Sequence, residues 1–333
     1  MKPLLKKLAE TFGPAGFEGP VRDLVRAEIK NLPDYISEDP LGNLIAVTKK
    51  NSKSGKKVLL AAHMDEVGVM AAHVDERGFV RFIQLGVYSP VGLVGSRVRF
   101  AGGALGVIDV EVRREDPGKI PALNELYIDV GATSRDDCPV KVGEPGVFGR
   151  SFEEAGGTRV IGKSLDNRVG VAILVETMRA LKRTPHEVAF VFSVQQEVGA
   201  RGAGPAAFGL EADLGLAVDL TSTGDTPGGR RTDLHLGGGP AILARDAHVV
   251  ADPRLKSQLV QRAQEARLKH QMEVLEGDYM DTWTMQVARG GLPVGGVCVP
   301  ARHRHTPSEM IDLRDAQAAV NLLVEFLQKP IEM

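Results

Sequence analysis

Val188-Ala189-Phe190-Val191-Phe192-Ser193-Val194-Gln195-Gln196-Glu197-Val198-Gly199-Ala200-Arg201-Gly202 changes character halfway along. It begins as a near-continuous apolar, β-branched and aromatic run, the composition of a strand buried on both faces. It then stops at polar residues followed by two glycines, so polar side chains stand at a strand's C-terminal end. Open α/β sheets bind ligands in the crevice outside those ends, which makes Gln196 and Glu197 candidates for chemistry. A single Glu at such a place is most often a solvated loop carboxylate, and it gains meaning only if other stretches end in the same way.

They do. Val58-Leu59-Leu60-Ala61-Ala62 reads as a buried strand and is closed by His63-Met64-Asp65-Glu66-Val67-Gly68. Leu214-Gly215-Leu216-Ala217-Val218 is closed by Asp219, and the run from Val294 to Pro300 leads into Arg302-His303-Arg304-His305-Thr306-Pro307-Ser308-Glu309. Lys163-Ser164-Leu165-Asp166-Asn167-Arg168 precedes an apolar helix carrying Val169, Ala172, Ile173, Val175, Met178 and Leu181. Helical spacing recurs over Leu4 to Phe12, Val21 to Leu32, Leu255 to Leu268 and Leu313 to Leu327. Alternating strands and helices predict an α/β fold, a three-layer domain around a mostly parallel central sheet.

From about Val69 to Gly157 the texture differs. Short β-rich pieces such as Gly78 to Ile83, Arg97 to Phe100, Gly106 to Val112 and Tyr127 to Val130 are separated by glycine and proline. Strands at such intervals, with no convincing helix among them, predict a small β-barrel-like domain. Because the α/β pattern resumes afterwards, the expected organisation is an α/β domain over 1–68 and 158–333 with an insertion over 69–157.

Composition narrows the function. The chain has 333 residues, enough for more than one domain, and a net charge of −2 with no basic run, which argues against a nucleic-acid partner. No apolar stretch approaches a membrane span and the N-terminus carries no apolar signal core, so no membrane partner is expected and the cytoplasm is the expected location. Cys138 and Cys298 are far apart and lack C-x-x-C spacing, so neither a disulfide framework nor a zinc ribbon is indicated. Any metal must be held by His and carboxylates.

Residues of that kind end the buried strands or begin the adjoining helix: His63 with Asp65, Asp166, Glu197, Asp219 and His305. Singly, each has a structural use, Asp166 as a helix N-cap and Asp219 as a cap on a strand turn. Together around one crevice they carry too much charge to stay unpaired, and a pair of divalent cations would compensate it.

The strings HMDEVG, SLDNRVG, QQEVGARG, AVDLT, GGGPAI and RHRHTPSEM, in this order along essentially the whole chain, closely resemble the TET-type aminopeptidases. This is the glutamyl and deblocking aminopeptidase family of dinuclear metallopeptidases, some of whose members are labelled endoglucanases. The resemblance implies that His63, Asp166 and Asp219 hold one metal and Asp166, Glu197 and His305 the other, with Asp166 bridging. It implies that Asp65 orients His63 through the other ring nitrogen. The two divalent ions would be zinc or cobalt, which suit imidazole and carboxylate ligands. Substrates would be short peptides, hydrolysed at the first peptide bond by metal-activated water with a general base taking its proton. The inserted β-rich region would serve oligomerisation, and a homododecamer built from dimers is expected. A glycoside hydrolase would instead need two carboxyl groups facing a sugar cleft, whereas these carboxylates stand beside histidines.

The sequence departs from the family at three places. The family strand ends Gln-Glu-Glu-Val-Gly, the first Glu being the general base; here Gln196 takes that position, fixed by Val198-Gly199 and Arg201-Gly202. A carboxamide keeps the shape of a carboxylate but cannot accept and return a proton, so activity is expected to be reduced or abolished. An isosteric change made to trap a bound peptide would account for it, as would a native slow hydrolase or a non-catalytic, metal-dependent peptide-binding protein. His303 and Arg304 stand where the family often has an aromatic and an apolar residue; Arg304 is expected to favour acidic substrate side chains. Asp278-Tyr279-Met280-Asp281-Thr282-Trp283 replaces a loop usually small and glycine-rich, so that Tyr279 and Trp283 either narrow the substrate pocket or pack beneath neighbouring loops.

Overall fold

The computed structural model describes residues 1–49, 55–111 and 120–333. Val112, the end of one expected strand, lies outside them. The opening stretch forms the strand Glu187–Ser193, whose alternate residues enter different cores. Val188, Phe190 and Phe192 pack on one face of the sheet, Ala189 and Val191 on the other. Its neighbour Lys57–His63 divides in the same way, Val58, Leu60 and Ala62 to one core and Leu59 and Ala61 to the other. Both faces are covered, which is why these runs are continuously apolar and do not alternate.

The first face is covered by the helices Lys2–Glu10, Gly19–Ile29, Leu165–Ala180, Pro253–Glu265 and Leu313–Gln328. The second is covered by Ala203–Leu210 and Thr282–Gln286. Three layers result. Each fully buried Leu, Ile, Val or Phe contributes roughly 1.5–3 kcal/mol relative to exposure, so these two cores dominate the stability of the molecule.

The strands Glu187–Ser193, Lys57–His63, Leu214–Ser222 and Val294–Arg302 lie side by side and parallel at the centre of an 11-stranded sheet. Leu44–Thr48 and Tyr35–Glu38 extend it antiparallel on one side, and Glu309–Asp312, Arg159–Gly162 and Glu153–Glu154 on the other. The parallel character expected from the sequence thus belongs to the centre and to a side branch, where Ala241–Arg245 pairs antiparallel with Val294–Arg302 and parallel with Gln271–Val274; the two flanks return antiparallel. The consequence for function lies in the register. Ser193 is paired with His63 across the ladder, so these strands end level with one another, and the turns they lead into project beyond one edge of the sheet.

Six further strands, Gly68–Val74, Val80–Leu85, Arg97–Phe100, Leu105–Val110, Leu126–Asp129 and Pro145–Phe148, close into a barrel. Val69, Ala71, Val80, Val98, Phe100, Ile108 and Ile128 fill its interior. Outward positions Ile83, Leu105 and Val107 remain exposed. The barrel also reaches the edge of the main sheet. Gly86, at φ +87°, leaves its backbone so close to Glu197 that an added Cβ would stand 3.0 Å from the Glu197 Oε2.

Candidate active site

His63 is the last residue of its strand, and Asp219 lies in Leu214–Ser222. Gln196 and Glu197 come after Glu187–Ser193, while His305 occupies the turn between Val294–Arg302 and Glu309–Asp312. Asp166 sits at the start of Leu165–Ala180 but is not helical; its φ and ψ are −81° and 107°, and the Asp166–Asn167 peptide is cis. Asn167 fastens this irregular turn to the sheet. Its Nδ2 donates to the Val218 carbonyl at 2.8 Å, and its Oδ1 accepts from the Gly170 amide at 3.0 Å.

The five residues expected as ligands converge. One set is His63, Asp166 and Asp219, the other Asp166, Glu197 and His305, and within each the ligand atoms lie within 4.8 Å of one another. Asp166 belongs to both, and its two oxygens divide the work. Oδ1 is 3.3 Å from the His63 Nε2, and Oδ2 is 3.3 Å from the His305 Nε2. The His63 Nε2 also lies 3.8 Å from the Asp219 Oδ1. His63 Nε2 and Asp166 Oδ1 are both buried without a hydrogen-bond partner, a costly arrangement that a cation between them would relieve. The donor set, imidazole and carboxylate in a buried pocket, fits a divalent metal.

The electrostatics state the same need in another form. Burial, reinforced by Asp166, pushes Glu197 well above the usual carboxylate range, and burial pushes Asp219 up to about 8. Burial would raise Asp166 too, yet the Arg304 guanidinium and the His305 and His63 imidazoles hold it well below that range. Burial opposes a charge on His63, but its contacts with Asp166 and Asp65 raise it well above an ordinary imidazole. Like charges crowded in a dry site must take up protons or cations.

Asp65 faces the far side of His63: the ring Nδ1 is 3.4 Å from the Asp65 Oδ1 and 3.2 Å from the Asp65 carbonyl oxygen. The Asp65 carboxylate also accepts the backbone N–H groups of Gln196 and Glu197, both at 2.9 Å. One side chain therefore joins the ends of two neighbouring strands. Gln196 is buried and its Nε2 donates to the Tyr279 carbonyl at 3.3 Å.

Gln196, Glu197, Tyr279, Asp278, Arg304 and His305 line a cavity of ≈ 210 Å³, to which Val87 of the barrel also contributes. Of the two places open to Tyr279, it takes the one in the cavity lining. Trp283 instead packs behind, its ring 4.7 Å from His248 and 5.9 Å from Tyr279. The expectation for Arg304 needs correction. Its guanidinium turns inward, with Nε on the Asp166 Oδ2 and Nη1 3.4 Å from the Asp278 Oδ2, so its charge is taken up by the protein before any substrate arrives.

Two groups were not picked out from the sequence. Glu309 is buried and accepts the Asp166 N–H at 2.9 Å through one oxygen and the His305 N–H at 3.0 Å through the other. The string RHRHTPSEM contains it, but only the turn geometry reveals its reach. Beneath His63, Glu66 pairs with Lys163 at 2.6 Å and with Arg168 at 3.2 Å. Arg168 is fully buried and donates to the carbonyls of Leu8, Thr11, Gly13 and Met64, tying the first helix to the end of the His63 strand.

Known proteins share this chain's sequence and fold. A putative aminopeptidase of Acetivibrio thermocellus is 41% identical over 324 residues, covering 97% of each chain. The aminopeptidase APDkam598 of the archaeon Desulfurococcus kamchatkensis superposes with a TM-score of 0.94 at 35% identity, covering 99% of this chain and 94% of that one. The TET1 peptidase of Pyrococcus horikoshii, which can assemble into a tetrahedron or a large octahedral shell, superposes with a TM-score of 0.89 at 27% identity, covering 98% of this chain and 99% of its own. Residues 42–322 match the M42 glutamyl aminopeptidase family, and the chain belongs to that family of aminopeptidases.

Proposed function

We propose that this chain is a cytoplasmic, dinuclear metal-dependent aminopeptidase scaffold that removes N-terminal residues from short peptides, slowed by a glutamine at the general-base position. The observation that carries the reading is the sharing of Asp166: its two oxygens face two different imidazoles, and each imidazole has a further carboxylate beside it. His63, Asp166 and Asp219 would hold one ion and Asp166, Glu197 and His305 the second, with zinc or cobalt the ions that suit these donors. The ions, when bound, supply Lewis acidity for the scissile carbonyl and a lowered pKa for the attacking water.

The chain's own residues do the rest. Asp65 fixes the His63 ring and, through the Gln196 and Glu197 amides, the height of the turn after the central strand. Tyr279 and Val87 narrow the cavity around the end of a peptide. Gln196 orients but takes no proton, and loss of a general base costs roughly 10²–10⁴ in rate. The segment 69–157 would act as the oligomerisation insert of a homododecamer built from dimers. Exposed Ile83, Leu105 and Val107 on the barrel give it apolar surface to bury, and the tetrahedron formed by the TET1 relative supports the assembly.

A second reading, a metal-dependent peptide-binding protein without turnover, draws on the Gln196 carboxamide donating to the Tyr279 carbonyl, a contact that a carboxylate could not make. Hydrolysis of a panel of aminoacyl substrates by Gln196→Glu, in excess cobalt, decides between them. At least about a hundredfold gain over the unaltered chain is expected of an aminopeptidase. Metal binding without turnover in either protein would leave the binding-protein reading.

A further inference from the structure

The two ligand sets do not stand equally ready. In the first, His63 Nε2 and Asp166 Oδ1 are buried and unpartnered. In the second, the Asp166 Oδ2 already carries the Arg304 Nε and has the His305 Nε2 only 3.3 Å away. Arg304 is 5% exposed, so this is an internal cation and not a surface side chain resting against the site. It arrives from the residue immediately before His305, in a turn where His303 and His305 both adopt φ 58°, and the turn directs it inward.

We propose that Arg304 serves as a built-in monovalent cation at the second metal position: the first ion meets no guanidinium on the Asp166 Oδ1, whereas the second must drive the guanidinium off the Asp166 Oδ2. Asp278 is the place for it to go. Its Oδ2 is 3.4 Å from the Arg304 Nη1 and also accepts from the Arg230 Nη1 at 3.0 Å and the Ser222 Oγ at 3.1 Å, while its Oδ1 accepts from the Arg230 Nη2 at 3.4 Å, so Arg304 would share this carboxylate with Arg230. The Arg304 Nη1 makes no hydrogen bond in its present position and would gain one by that movement. A fixed guanidinium beside the vacated oxygen repels an incoming dication strongly at these distances in a medium less polar than water. Geometry also favours an arginine here, because its planar fork can keep contact with one carboxylate while releasing another.

The inference rests on the two ligand sets of the proposed function, and its test separates the two. Calorimetric titration of the metal-stripped full chain with cobalt(II) chloride, together with cobalt content after dialysis, should show one tight ion per chain and a second weaker by at least ~100-fold. In Arg304→Leu the second ion should tighten to within about tenfold of the first. Arg304→Gln keeps a donor near Asp166 without the charge and should tighten the second ion in the same direction, a check that survives if the leucine variant does not fold. Two ions of equal affinity in the unaltered chain, or a second ion indifferent to both substitutions, would overturn the inference and leave the dinuclear reading standing. No bound cobalt in any of the three proteins would overturn both.

Discussion

The two candidate ligand sets share one aspartate and differ in almost everything else. His63 and Asp219 are borne by central strands whose both faces are packed, which hold the His63 Nε2 and the Asp219 Oδ1 3.8 Å apart. Glu197 and His305 are borne by turns, one beside the barrel's Gly86 and the other between two antiparallel strands, and a guanidinium already answers part of their charge. A rigid element can hold like charges together because the surrounding core supplies the energy; a turn holds them only if something compensates. The contrast predicts a first site that is preformed and a second that is negotiated.

The sharpest way to break the comparison is at its shared member. Asp166→Asn removes a charged ligand from both sets and should abolish cobalt binding at either, whereas Asp219→Asn should strip the tight ion and His305→Ala should leave it in place. Cobalt content of the three variants after dialysis reads this directly. Equal loss in Asp219→Asn and His305→Ala would mean that the sets act as one site and that the contrast has no thermodynamic content.

The sequence carried the first set more fully than the second. Buried parallel strands announce themselves as apolar runs, and a polar residue that ends such a run has its position fixed by the register; His63 and Asp219 were legible for that reason. The barrel was legible as a texture of short strands, and its closure is the way six edges are covered, though the order of pairing was not legible. The convergence of Glu197 and His305 on Asp166 was expected from the motifs, but not what surrounds them. A turn with left-handed residues at 303 and 305 has no two-residue alternation, so nothing in Arg302-His303-Arg304-His305 states that Arg304 points inward. Glu309 was missed for the same reason, since its four-residue reach back to His305 belongs to a turn and not to a period. Trp283 was left between pocket and packing because its partner His248 lies far away in sequence.

If the first set owes its readiness to a rigid support, loosening that support should be costly even though no ligand is touched. Arg168 is that support, joining the Met64 carbonyl beside His63 to the Leu8, Thr11 and Gly13 carbonyls and to Glu66. Arg168→Met would fill similar volume while leaving those acceptors without their donor. Breaking a buried charge pair from one side typically costs about 3–5 kcal/mol, partly relieved here because Lys163 stays on Glu66. The denaturant midpoint of the metal-free chain should fall accordingly, and a midpoint unchanged by the substitution would remove the structural basis of the contrast.

The smallest expected effect comes from the clamp of the second set. Glu309 accepts two backbone N–H groups, one from Asp166 and one from His305, and so holds two of the three candidate ligands of the second set. In Glu309→Gln the side-chain oxygen can still satisfy one of those donors, but the amide nitrogen meets the other donor head-on. Burial, with Asp166 adding to it, pushes the Glu309 carboxyl up to about 8. One buried N–H left unpaired costs about 1–3 kcal/mol. That penalty should appear as a lower unfolding midpoint and as a several-fold weaker second cobalt ion, with the first ion weakened less because His63 and Asp219 remain in their strands. A first ion that weakens as much as the second would show that Asp166 is positioned from Glu309 for both sets, and that the difference between them lies in Arg304 alone.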